Sequence, residues 1–151
     1  PLTLVGNLGK LAEKIAKFLQ TNFLKRINHE PPKGDRLKTV SASRFRKKTI
    51  PSISVSDYLS RICNYAVALE PLFLFAIIEY ALRLDPPADQ FNSSQESFLL
   101  QEPPLLCIDL FSVHRFVITS ITISSKALGD YFYSNAYYAK LGGISTEELD
   151  L

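Results

Sequence analysis

Cys107, Asp109 and His114 are the tightest grouping of chemistry-bearing side chains in the sequence. A thiolate, a carboxylate and an imidazole could hold a metal or form a nucleophile–base pair. The spacing argues against both. Cys107 stands seven residues before His114 and Asp109 five residues before it, and no standard ligand spacing has those intervals. An imidazole on a largely apolar helix is more often a hydrogen-bonded packing group. Two cysteines (Cys63, Cys107) and two histidines (His29, His114) are too few for a cysteine-rich zinc module or a disulfide framework. The sequence has no glycine-rich phosphate loop, no Ser-His-Asp candidate set and no paired acids in an apolar stretch. Catalysis needs a poised acid or base with an orienting partner, and none can be assembled. No catalytic residue, metal or cofactor is expected, and the residues point to a binding module.

The chain that carries these groups has 151 residues and 17.0 kDa, one domain's worth. Apolar content of 46% with 21% charged residues fits a folded globular protein and excludes wholesale disorder. The net charge of +2 hides a split: residues 1–50 carry +9 and residues 51–151 carry −7. A basic N-terminal third could meet nucleic acid, anionic lipid or an acidic protein surface, or could be a solvated linker. Cysteine usage fits a reducing compartment, so nucleus and/or cytoplasm is the expected location. No apolar run approaches the ~20 residues a spanning helix needs. No secretory leader is read either, because Lys10, Glu13, Lys14 and Lys17 interrupt the N-terminal apolar pattern.

Residues 3–28 predict one amphipathic helix, with Leu4, Leu8, Leu11, Ile15, Phe18, Leu19, Phe23 and Ile27 at three- and four-residue steps. Its apolar stripe is expected to pack on its own domain or on a partner, and an unpartnered stripe would drive self-association or membrane docking. From Asn28 the pattern stops. Pro31-Pro32, Gly34 and Arg44-Phe45-Arg46-Lys47-Lys48 mark an irregular basic linker, in which the basic run could serve nuclear import and Thr39, Ser41 and Ser43 could be phosphorylated. Ser54 with Asp57 predicts a capping box and a helix from about Val55 to Leu69. Pro71 at a first helical position opens a helix to Leu84 that is apolar nearly all round and therefore expected to be buried on every face. A long polar loop follows, residues 88–104. Asp109 is placed to cap a third helix from Leu110 to about Leu128; strand is the alternative by propensity, and length favours helix. Asn135 to Gly142-Gly143 predicts a short fourth helix, and Ser145 with Glu148 a second capping box that opens a fifth, which the chain's last residues cut short. The expected fold is all-α: residues 1–49 as an amphipathic helix plus basic linker, and residues 50–151 as five helices around a central third.

Three ordered blocks carry a family resemblance. Pro51-Ser52-Ile53-Ser54-Val55-Ser56-Asp57-Tyr58-Leu59-Ser60-Arg61-Ile62 resembles the start of the cyclin box in the P-type (U-type) cyclins of yeasts, plants and protists. Val113-His114-Arg115-Phe116-Val117-Ile118-Thr119-Ser120, with Ser125-Lys126, resembles the third helix of that box. Asp130-Tyr131-Phe132-Tyr133-Ser134-Asn135-Ala136-Tyr137-Tyr138-Ala139-Lys140-Leu141-Gly142-Gly143-Ile144-Ser145 is similar nearly residue for residue to the family signature. The blocks span about two-thirds of the chain.

The resemblance implies a single cyclin box that binds and activates a cyclin-dependent protein kinase in cell-cycle or nutrient signalling, with no chemistry of its own. It implies that Lys126 donates to kinase backbone carbonyls, an ammonium offering three donors. It implies that Asp130 meets a kinase arginine. Tyr131 and Phe132 would be aromatic anchors, and Tyr137 and Lys140 would serve either the box core or the kinase rim. Three departures stand out. The glutamate that partners the family lysine should fall just past Leu151. Glu79-Tyr80-Ala81-Leu82-Arg83-Leu84 replaces a family Tyr-Ile-Asp-Arg, so the usual acid partner of Arg61 is missing and Glu79 is the candidate substitute. The loop at 85–104 is about a dozen residues longer than usual, either a docking element or a tolerated insertion. A second reading, a cyclin-like helical adaptor in transcription that grips nucleic acid through the basic third, predicts strongly salt-dependent binding.

Overall fold

The computed structural model describes residues 4–24, 45–86 and 105–150. Within them the protein is all-α, with six helices: α1 Leu4–Asn22, α2 Val55–Tyr65, α3 Pro71–Leu84, α4 Val113–Leu128, α5 Asn135–Gly142 and α6 Thr146–Leu149. The linker sites Thr39, Ser41 and Ser43 and the loop of residues 88–104 lie outside the described residues.

The α1 stripe folds inward. Leu8, Ala12, Ile15, Ala16, Leu19 and Phe23 are buried, while Lys10, Glu13, Lys14 and Lys17 face solvent. The helix packs across α2 and α3 and shares one core with them. Burying each large side chain contributes roughly 1.5–3 kcal/mol. The stripe weighed for self-association or membrane docking is therefore covered by the protein's own helices. Among the described residues no helix is long and apolar enough to cross a membrane.

α2 starts where Ser54 Oγ accepts the Asp57 N–H at 3.1 Å, and it buries Val55, Tyr58, Leu59, Ile62 and Cys63 on one face. It ends at Tyr65, four residues before the predicted Leu69, because Ala66 leaves helical geometry. α3 departs further from expectation. Pro71 does open it, but only Phe73, Leu74, Ile77 and Ala81 are buried; Leu72 and Phe75 are half exposed. α1 and α4 cover the inner side of α3 only, so an all-apolar sequence here overstated the burial. At its C-cap the buried Asp85 carboxylate accepts the Ile108 N–H at 3.0 Å and fastens the segment that leads to α4.

α4 is the central helix. Its faces are buried by α3, α2 and α5. Tertiary packing keeps the β-branched Ile, Val and Thr helical, and the buried hydroxyls are satisfied by bonding back along the helix: Ser120 to Phe116 O (2.7 Å), Thr122 to Ile118 O (2.8 Å) and Ser124 to Ser120 O (2.7 Å). The helix begins at Val113 rather than Leu110. Asp109 does not cap it directly. The Asp109 carboxylate accepts the N–H groups of Phe111 (2.9 Å) and Ser112 (3.1 Å), and Ser112 Oγ accepts the Asp109 N–H (3.0 Å), which closes a separate turn ahead of the helix. Part of the basic run is also less free than its composition suggests. Arg46 pairs with Asp109 and lies 4.5 Å over the Phe111 ring, and Lys47 N–H bonds Phe111 O at 2.9 Å.

α5 opens at Ser134, whose hydroxyl accepts the Tyr137 N–H, and closes at Gly143 in the left-handed region (φ 65°). Gly142 sits against α4 so closely that a Cβ there would come within 2.6 Å of Ile118 Cγ1. α6 carries the predicted capping box, with both Ser145–Glu148 bonds present.

Candidate functional site

Cys107, Asp109 and His114 do not form a centre. Cys107 contributes its carbonyl to the Ser112 hydroxyl, Asp109 holds its own turn and Arg46, and His114 bonds Ile53 O through Nε2 at 2.8 Å. Among the described residues no group of His, Cys, Asp and Glu could hold a metal ion. Burial pushes the Cys63 thiol up to about 11, which keeps it protonated and unreactive at neutral pH.

The residues expected to meet a kinase gather at the C-terminal end of α4 and the turn after it. α4 leaves one stripe open to solvent: Arg115 and Thr119 are partly covered, and Ile123, Lys126 and Ala127 are exposed. Lys126 Nζ donates to Asn135 Oδ1, and Asn135 Nδ2 donates to Asp150 Oδ1. A polar relay therefore links the ends of α4 and α6 through the start of α5 and holds the ammonium at the edge of the turn. Asp130 is exposed beside it. Tyr131 is 83% exposed and Phe132 57%, with Leu128 and Ile123 also more than half exposed. Large apolar side chains left in water around a fixed ammonium and a carboxylate have the anatomy of an interface core with a polar rim.

What holds this turn is a set of tyrosines. Tyr138 is buried and its hydroxyl meets Ser125 Oγ at 2.5 Å while accepting the Tyr133 N–H at 3.3 Å. Tyr133 stacks on Tyr137 with centroids 4.3 Å apart, and its hydroxyl accepts the Ala68 N–H at 2.9 Å. Tyr137 donates to Tyr65 O at 2.7 Å. Gly129 completes the device, since a Cβ there would lie 2.6 Å from Ser125 O and 2.9 Å from Phe73 Cζ. The turn is thus pinned on its inner side, and Tyr131 and Phe132 are presented on its outer side.

Of the six residues read from sequence as kinase-binding, Lys126, Asp130, Tyr131 and Phe132 are all exposed on the end of α4 and the turn that follows it. Tyr137 is 37% exposed, and its ring stacks on Tyr133 while its hydroxyl is bound to Tyr65 O. Lys140 is exposed and lies five residues along α5 from Asn135, about 7.5 Å at 1.5 Å per residue. Arg61 and Glu79 do not pair. Glu79 binds Arg83 four residues on at 2.6 Å, whereas Arg61 is exposed with its Nη2 at 3.5 Å from Lys140 O. The guanidinium stays in water near the carbonyl end of α5, so it needs no buried acid.

Sequence reasoning missed Ile123, Leu128, Asn135 and Asp150. The first two belong to a stretch that reads in sequence as apolar and β-branched at its centre; only the packing of neighbours shows which stripe is left open.

Comparison with known proteins agrees with this arrangement. The sequence model for cyclins (Cyclin) matches residues 10–151. Cyclin-U4-2 of Arabidopsis thaliana is 40% identical over 109 residues, 72% of this chain and 43% of that protein. PHO85 cyclin-7 of Saccharomyces cerevisiae is 38% identical over 106 residues, 70% of this chain and 35% of that protein. PHO85 cyclin-like protein psl1 of Schizosaccharomyces pombe is 34% identical over 153 residues, 95% of this chain and 56% of that protein. The chain spans about half the length, or less, of these relatives. A match over nearly the whole chain, on a helical box with the signature turn between α4 and α5, places this protein in the cyclin family, among the P- and U-type cyclins.

Proposed function

We propose that this protein is a regulatory subunit that binds a cyclin-dependent protein kinase and holds it in the active state, and that it performs no catalysis itself. The observation that carries the reading is the exposed cluster of Ile123, Leu128, Tyr131 and Phe132 around Lys126 and Asp130. Two of the relatives bear the name of a PHO85 cyclin, which supports a kinase of that class as partner.

Each group has a role in this proposal. The aromatic pair fills apolar pockets on the kinase and supplies most of the affinity, as buried aromatic anchors do. Lys126 gives its remaining ammonium hydrogens to kinase carbonyls, with Asn135 and Asp150 keeping it oriented so that little side-chain freedom is lost on docking. Asp130 pairs with a kinase arginine. Activation is a population shift. Moving a kinase from 1:99 to 99:1 in favour of its active form requires about 5.5 kcal/mol of preference for that form. Three anchors of about 2 kcal/mol each, engaged only with the active form, suffice. Action in cell-cycle or nutrient signalling, in the nucleus and/or cytoplasm, belongs to the same proposal.

The test is a pull-down of the tagged protein from its source cell, eluted into a histone-kinase assay. Kinase activity in the eluate that falls with the Lys126→Ala/Asp130→Lys double variant supports the reading. A folded protein that brings down no kinase activity contradicts it, and salt-dependent retention on nucleic acid would then favour the adaptor.

A further inference from the structure

At the opposite end of α4 lies a small basic pocket that the kinase proposal does not use. Its volume is about 120 Å³, well below the several hundred Å³ of a site for a drug-sized ligand, and it suits a single small group. Lys47, Arg61 and Arg115 line it, and no acid stands among its described lining residues. The segment before α2, α2 itself and α4 each contribute one cation, so the charge is gathered by the fold and not by one basic stretch. Arg115 is paired with Glu148; Lys47 and Arg61 add two further positive charges, which favour an anion.

The chain itself supplies a point at which an anion can be attached. Lys47, Pro51 and Ile53 border the pocket, and Thr49 stands between the first two. Two residues of chain span at most about 7 Å, so the Thr49 Cα lies within that distance of both. Lys48, Thr49 and Ile50 are exposed in a short bend. The bend is held on both sides: Lys47 N–H bonds Phe111 O at 2.9 Å, and Ile53 O accepts from His114 Nε2 at 2.8 Å. A group added to Thr49 therefore stays near the pocket. The exposed hydroxyl also follows directly on Arg46-Lys47-Lys48, the charge pattern of substrates for basophilic protein kinases, with a cation three residues ahead of the acceptor. Ser52 has no cation in the three residues before it, and Ser54 is committed to capping α2. Arg46 is held by Asp109, but that pair is partly exposed and weak enough to exchange for a kinase's carboxylates.

We propose that Thr49 is a phosphorylation site and that its phosphate seats in the basic pocket of its own chain. A basophilic protein kinase with ATP makes the modification. Thr49 Oγ1 bonds to the γ-phosphorus, the bond from that phosphorus to the β–γ bridging oxygen breaks, ADP leaves, and the hydroxyl proton passes to the modifying kinase's catalytic carboxylate. The phosphate carries about −1.5 to −2 charge near neutrality. Lys47 and Arg61 bond its oxygens, Arg115 adds to the field, and the segment before α2 is thereby fastened to α2 and α4. The site is separate from the face proposed for the cyclin-dependent kinase. Arg115 and Lys126 are eleven residues apart on α4, about 16 Å along the helix, so modification leaves that face open.

The test treats the full chain with ATP and the catalytic subunit of a cyclic-AMP-dependent protein kinase, and compares wild type, Thr49→Val and Arg61→Ala. Arg61 is exposed and lies on α2, outside the sequence around the acceptor, so its variant folds and is phosphorylated like the wild type. Peptide mapping should place phosphate on Thr49, in vitro and in the chain recovered from its source cell, and Thr49→Val should lose it. The phosphorus NMR signal should titrate with a midpoint about one pH unit lower in the wild type than in Arg61→Ala, because neighbouring cations favour the doubly charged form. Phosphorylation should raise the melting temperature of the wild type by about 3 °C, and that of Arg61→Ala by less. A Thr49 without phosphate in either preparation, or a Thr49 phosphate whose midpoint and melting shift are the same in the wild type and Arg61→Ala, would overturn the proposal.

Discussion

The two ends of α4 treat polar and apolar side chains in opposite ways. At the N-terminal end the polar groups are drawn into the fold: His114 is committed to Ile53 O, and Arg115 to Glu148. At the C-terminal end apolar groups are pushed out of it: Ile123, Leu128, Tyr131 and Phe132 stand in solvent while tyrosine hydroxyls hold the turn beneath them. The difference teaches that the helix is anchored at its N-terminal end and leaves apolar side chains open to solvent at its C-terminal end.

The sharpest way to break the comparison is a matched pair on one helix. Ile118 is fully buried and Ile123 half exposed. Ile118→Ala should lower stability by about 2–5 kcal/mol, whereas Ile123→Ala should change it by less than about 0.5 kcal/mol. Urea unfolding at one pH measures both; similar losses would mean that the open stripe is not open. Next in size, Gly142→Ala drives a Cβ to 2.6 Å from Ile118 and should cost about 1–3 kcal/mol by overpacking α5 against α4. Thermal denaturation with an unchanged midpoint would contradict that close approach. Ser145→Ala removes the serine half of the α6 capping box and should cost about 1 kcal/mol.

The smallest effect is in pH. Burial holds the His114 imidazole below its ordinary value of 6.5, with Lys47 adding to the shift and the Ile53 bond opposing it. The unfolded chain then takes up its proton first as pH falls. This contribution to stability is complete above about 6.5 and is lost as pH drops towards the folded value. A His114→Gln variant should flatten that slope in chemical unfolding between neutrality and mild acid. A slope of opposite sign would mean that His114 is charged in the fold.

Much of this was legible in sequence because it is local. The serine caps at 54 and 145, Pro71 at the head of α3 and Gly142-Gly143 at the foot of α5 act through adjacent backbone, so their meaning travels with the residues. The signature block from Asp130 to Ser145 likewise marked the turn that presents Tyr131 and Phe132. What sequence left open depends on neighbours. The apolar run from Leu72 to Ile78 reads as buried all round, and only the arrangement of α1 and α4 on one side leaves Leu72 and Phe75 outside. Arg61 reads as a buried cation in need of an acid, and only its place near the end of α5 shows it solvated. The relay from Lys126 through Asn135 to Asp150 joins three elements and has no sequence spacing of its own.

The central claim is that the turn after α4 is a kinase face. The most direct measurement is the affinity of a purified cyclin-dependent kinase for the wild-type chain and for Phe132→Ala and Lys126→Ala. The account predicts that each variant keeps its melting temperature and weakens binding by about thirtyfold or more, the effect of losing a 2 kcal/mol anchor. Unchanged affinity in both folded variants would contradict it.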